Sequence, residues 1–192
     1  HLKGTRTDRK RKFDPSELPV GLNNTEPAEL ELYADIMFVE GHRFFVAVAM
    51  PIGLVICEHL KTKSAIDLQS AIQNAVDTLR SRGFRPKICY TDAEANLLAA
   101  ASHLTDVAHE AVPPRTHNKI VESKIRRIKE KVRSIIHSVP YNIPWKWLPW
   151  VVYFAVSARN RIPVRDSGTV LSPRERFTGI KNNAKTLSLI HI

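Results

Sequence analysis

Leu30–Val39, Arg43–Met50 and Leu54–Leu60 are three runs dense in β-branched, aromatic and other apolar residues, parted only by Glu40-Gly41-His42 and Pro51-Ile52-Gly53. Connections that short cannot carry a crossover, so consecutive strands must pair antiparallel, as a meander. After Leu60 the pattern changes. Thr62–Arg82 has helical periodicity, with Ser64 as N-cap, Ile66, Ile72, Val76 and Leu79 in the buried stripe, and Gly83 closing it. Arg85–Thr91 is a strand ending at Asp92, Ala93–His103 a short Ala/Leu-rich helix, and Asp106–Val112 a fifth strand. Pro113-Pro114 breaks the chain before a long helix that fades near Pro140, and Trp145–Asn160 is a further, aromatic-rich helix. Ser172-Pro173 opens a last helical turn. The expectation is an α/β fold: a five-stranded mixed sheet, three strands antiparallel and then two parallel to the first, flanked by helices.

The long helix carries two faces. Val121, Ile125, Ile128, Val132 and Ile135 alternate in steps of four and three, which is one apolar face. Glu122, Arg126, Lys129 and Arg133 line a neighbouring stripe, one carboxylate followed by a ladder of cations. The formal net charge is +10, and it is concentrated. His1–Lys12 holds six Lys/Arg against Asp8, and Lys119–Arg133 holds seven against Glu122 and Glu130, so each contributes +5. Localised positive charge points to a polyanion, nucleic acid ahead of an anionic membrane. The longest apolar run, Phe44–Cys57, is too short to span a bilayer and is interrupted by Pro51 and Gly53. Cys57 and Cys89, the only cysteines, sit in strand-like runs and read as buried free thiols of a reducing compartment. His103 and His109 lack cysteine partners at zinc-finger spacing.

Three acids stand out. Asp35 interrupts an apolar strand, where a lone buried carboxylate is costly unless paired or metal-bound. Asp92 ends a strand and opens a loop, the usual place for catalytic groups in α/β sheets, although it could equally cap the next helix. The expected topology puts these two on adjacent strands, with Glu122 reaching them from its helix. Carboxylates without nitrogen or sulfur ligands suit hard divalent cations, Mg²⁺ or Mn²⁺. Two such ions about 3.5–4 Å apart serve in-line phosphoryl displacement, and the cations of the Glu122 helix would hold a phosphate backbone beside them.

From about Leu30 to Gly179 the sequence resembles the catalytic core of retroviral and retrotransposon integrases, nearest to copia-like elements. Asp35 in LYADIMFV, Asp92 in YTDAEANL and Glu122 in HNKIVES match the D,D,E signature, with an interval of 122 − 92 = 30 residues, shorter than usual. The resemblance implies an RNase H-like fold and catalysis by Asp35, Asp92 and Glu122 through two Mg²⁺ or Mn²⁺ ions. It implies DNA contacts by Asn118, Arg126 and Lys129, to which the basic run of the helix adds Lys119 and Arg133, and it implies a homo-oligomer acting on element ends and target DNA, and action in the host nucleus within an integration complex. Ser172–Gly179 resembles the family's closing segment, and His1-Leu2-Lys3-Gly4 resembles the end of the zinc-binding segment that precedes such cores, as in a fragment of a longer polyprotein. The expected division is a basic arm (1–28), the core (29–165), its extension (166–186), and 187–192, LSLIHI, which resembles the translation of a transposon-end adapter used in sequencing libraries.

Two departures bear on activity. Lys119 replaces the Gly usual before the catalytic helix, and Ala93-Glu94 replace a small or polar pair after Asp92. The leading expectation is a metal-dependent integrase that trims 3′ ends and joins them to target DNA. Two alternatives use the same residues: a domesticated integrase-like DNA-binding module without catalysis, and an RNase H-type nuclease.

Overall fold

The computed structural model describes residues 28–104, 106–112, 119–163 and 171–180. The 1–28 arm (up to residue 27), Asn118, most of the 166–186 extension and the 187–192 tail lie outside the described residues.

The five strands are β1 (Ala28–Val39), β2 (His42–Met50), β3 (Leu54–Leu60), β4 (Phe84–Asp92) and β5 (Ala108–Val112). They form one sheet in the order β3-β2-β1-β4-β5. The meander is antiparallel, while β4 pairs parallel with both β1 and β5, as expected. The β1–β2 link is the two residues Glu40 and Gly41, both at positive φ, the conformation whose twist matches a tight hairpin.

Alternation along β1 divides the core in two. Leu30, Leu32, Ala34 and Ile36 point to one face and pack under α1 (Ala65–Arg80) and α2 (Ala95–Ala101). Met37 and Val39 point to the other, with Phe44, Val46 and Val48 of β2, under α3 (Lys119–Ser138) and α4 (Leu148–Asn160). The result is a sheet between two helical layers. Tyr33 and Asp35 share the odd-numbered face with Met37, and this periodicity puts Asp35 beneath α3.

Helix α3 buries Val121, Ile125, Ile128 and Val132, and Ile135 packs partly against the same cluster. In α1 the Ser64 hydroxyl accepts from the Asp67 amide, which is the expected cap. Ile66 corrects the expected stripe, being 77% exposed. It lies six residues from Ile72, about one and two-thirds turns, which rotates it off the face that Leu68, Ala71, Ile72, Ala75, Val76 and Leu79 bury. The aromatic helix also starts later than expected. Trp145–Trp147 form a single 3₁₀ turn and α4 begins at Leu148, with Pro149 in its first turn, where a missing N–H costs nothing. Helix α5 (Pro173–Thr178) is closed by a reciprocal cap: the Glu175 amide donates to the Ser172 hydroxyl, and the Ser172 amide donates to the Glu175 carboxylate at 2.8 Å. The Arg176 guanidinium donates to the Pro51 carbonyl at 3.1 Å, tying this segment to the β2–β3 turn.

Candidate active site: carboxylates beside a cationic cleft

Asp35 and Asp92 are lateral neighbours. The parallel β1–β4 register ends at Ala34↔Thr91, so the two aspartates follow at the same level of adjacent strands, which lie about 4.8 Å apart. Asp92 closes β4 and is exposed. It is not the cap of α2; Glu94 occupies that position, makes no side-chain cap bond, and instead forms an ion pair with Lys63.

Asp35 is half-buried, and its Oδ1 accepts a 2.6 Å bond from the Ile36 amide. Burial raises its carboxyl above the ordinary aspartate range. The Ile36 amide opposes that shift, and the charges of Asp92, Glu122 and Glu94 add to it. Three other carboxylates therefore act electrostatically on this one side chain. Glu94 is a fourth acid, whose charge also acts on Asp35. Its signal was its position two residues beyond Asp92.

Glu122 lies in the first turn of α3, where the helix dipole favours a negative charge. With Asp35 it borders a cleft of about 500 Å³, whose remaining lining is Ile36, Ile125, Arg126, Lys129, Glu130 and Arg133. All three expected ladder cations are in this cleft. Lys119, the first residue of α3, is exposed and does not line it. Charge in the lining balances, with Asp35, Glu122 and Glu130 against Arg126, Lys129 and Arg133.

Among the described residues, no group of three or more His, Cys, Asp or Glu side chains is gathered closely enough to hold a metal ion. The donor chemistry suits a hard cation, since every acid here offers only oxygen. Cys57 and Cys89 are free thiols, each pushed up to about 12 by burial, too high for a thiolate nucleophile at neutral pH. No described helix is long and apolar enough to cross a membrane.

No protein-family model matches the sequence, and no curated protein matches it. Solved structures do match. The five-stranded mixed sheet flanked by helices is the RNase H-like fold of an integrase catalytic core. The HTLV-2 integrase catalytic core domain, solved in complex with magnesium in a trimeric form, superposes with a TM-score of 0.61 at 18% identity, over 80% of this chain and 99% of that one. The integrase core of BIV gives 0.55 at 14% identity, covering 77% of this chain and 92% of that one. A chain of the simian T-cell lymphotropic virus intasome, in complex with a PP2A regulatory subunit, gives 0.62 at 19% identity. The match covers 81% of this chain and 56% of that one.

Proposed function

We propose that this chain is the catalytic domain of a retroelement integrase, which trims 3′ ends of element DNA and joins them to target DNA. The observation that carries the reading is the placement of Asp35, Asp92 and Glu122. They occupy a strand, the adjacent strand end and a facing helix, and Asp35 feels the charge of both others at the mouth of a cleft lined by three cations. The integrase-like fold supports the reading, as does the D,D,E order of the three acids.

In this reading Asp35, Asp92 and Glu122 would hold divalent cations, Mg²⁺ or Mn²⁺, two in number. When bound, these supply an activated attacking oxygen and charge compensation on the leaving oxygen. The chain's own residues do the rest. Arg126, Lys129 and Arg133 hold the phosphate backbone along α3, and the Glu122 carboxylate sits at the head of that ladder. Asn118 and Lys119, at the entrance to α3, contact the DNA near the reacting bond. A homo-oligomer gathers two DNA ends, and the place of action is the host nucleus. Affinity to copia-like elements belongs to the same proposal.

The test is strand joining on donor oligonucleotides with Mg²⁺, using the full-length parent protein. The reading expects joined products from the wild type and none from Asp92→Asn, which loses a ligand group while keeping or slightly raising DNA affinity, because repulsion of phosphate falls. Joining by Asp92→Asn would refute the role. DNA binding without any joining by the wild type would favour the domesticated, non-catalytic module, for which Lys119 and Glu94 are the motivating departures.

A further inference from the structure

A second cleft opens on the other side of Asp35. Tyr33 lies two residues before Asp35 on the same face of β1, about 6.6 Å back along the strand. Tyr90 lies two residues before Asp92, and the register pairs Tyr33 directly with Tyr90. Their rings stack, with centroids 4.9 Å apart and planes 21° from parallel. The Tyr33 hydroxyl is already engaged, donating to Glu31 Oε2 at 2.7 Å. Burial, reinforced by that carboxylate, pushes the phenol up to about 12, so Tyr33 is no nucleophile at neutral pH. One side of its ring is stacked on Tyr90, and the side chain also lines a cleft.

That ring borders a cleft of about 500 Å³, within the size range of small-ligand sites. Its apolar lining beside Tyr33 is Leu30, Met50, Pro51, Ile88 and Ile120 of α3, and its charged residues are Glu29, Glu31 and Lys87. Lys87 pairs with Glu29, so the net charge here is negative. Phosphate is repelled from this cleft, while Arg126, Lys129 and Arg133 beyond Asp35 offer it cationic partners, and a flat uncharged ring suits an aromatic and aliphatic sandwich. The three acids thus stand between a site for backbone and a site for a base.

We propose that the Tyr33 cleft receives an unpaired nucleobase next to the phosphate held at Asp35, stacked on the Tyr33 ring. This rests on the DNA-processing reading above and adds to it that the substrate strand is bound with one base out of the duplex. Tyr33 and Tyr90 are positioning residues in this account, holding the strand so that the reacting phosphate stays at the acids.

The test compares binding of a blunt duplex and of the same duplex with a short single-stranded overhang, in Mg²⁺, across a salt series. Tyr33→Leu is expected to weaken overhang binding about five- to 150-fold, the range for loss of one base–aromatic stack. It should weaken blunt-duplex binding less, because unpairing a base there offsets the stack, and leave both salt slopes unchanged, and Tyr33→Phe should bind as the wild type does. Arg126→Ala, by contrast, should flatten the slope on both DNAs. A fluorescent purine analogue in the overhang should be quenched on binding to the wild-type protein, a readout independent of any variant's folding. Equal loss on both DNAs, no loss with Tyr33→Leu, or an unquenched analogue would overturn the proposal while the Arg126 result left the DNA-processing reading intact. Absence of salt-dependent DNA binding by the wild type would overturn both.

Discussion

Arg126, Lys129 and Arg133 should behave as three separate phosphate contacts. Seven residue steps of α3 separate the first from the last, about 10.5 Å along its axis, close to three base-pair rises of a duplex lying parallel to it, at about 3.4 Å each. All three line the cleft that begins at Asp35 and Glu122. Replacing any one with alanine should weaken binding to every DNA sequence and flatten the plot of log K against log salt by about 0.9. Over a fourfold rise in salt, the single variant then loses about 3.5-fold less affinity than the wild type, and the triple variant about 40-fold less. Lys124 and Lys131 lie on the same helix but are half-buried and outside the cleft lining, so their alanine variants should keep nearly the wild-type slope. Salt-titrated anisotropy on the five single variants decides the matter. Equal slopes for all five would show that the cations are an interchangeable solvated face, and α3 would lose its role as the clamp.

Asp35 carries a pH signature. Its folded-state carboxyl is raised above the ordinary aspartate value, chiefly by burial. Its contribution to stability is therefore fully present below about pH 4 and is lost as pH rises through the raised value. Asp35→Asn should be more stable than the wild type at pH 7 in urea denaturation, with the gap closing below about pH 4; a less stable variant at neutral pH would contradict the burial argument. In the core, Ile128→Ala should cost about 2–5 kcal/mol, because Ile128 is only 1% exposed under α3. Ile66→Ala should stay within about 0.5 kcal/mol, and urea midpoints separate the two.

The meander, the parallel strands and the amphipathic face of α3 were legible because each is a periodicity, and burial of Phe44, Val46 and Ile128 enforces it. The ladder was legible for the same reason, since Glu122, Arg126, Lys129 and Arg133 share one stripe and the cleft contains them all. Ile66 misled because its apolarity was taken without its phase on the helix. Tyr33 looks in sequence like an ordinary β-former, although its spacing of two from Asp35 puts both on one face. The Tyr33–Tyr90 stack depends on inter-strand register, which a bulge between Leu30 and Glu31 shifts and which no local pattern reveals. Glu94 reaches Asp35 through the same non-local geometry.

The most direct test of the central claim is Mn²⁺ binding followed by electron paramagnetic resonance, on the wild type and on Asp35→Asn, Asp92→Asn and Glu122→Gln. If the three acids form one metal-holding group, each amide should lower Mn²⁺ affinity about tenfold or more, while Glu130→Gln, on the same helix, should leave it nearly unchanged. Wild-type affinity in any one of the three amide variants would remove that residue from the group and contradict the account.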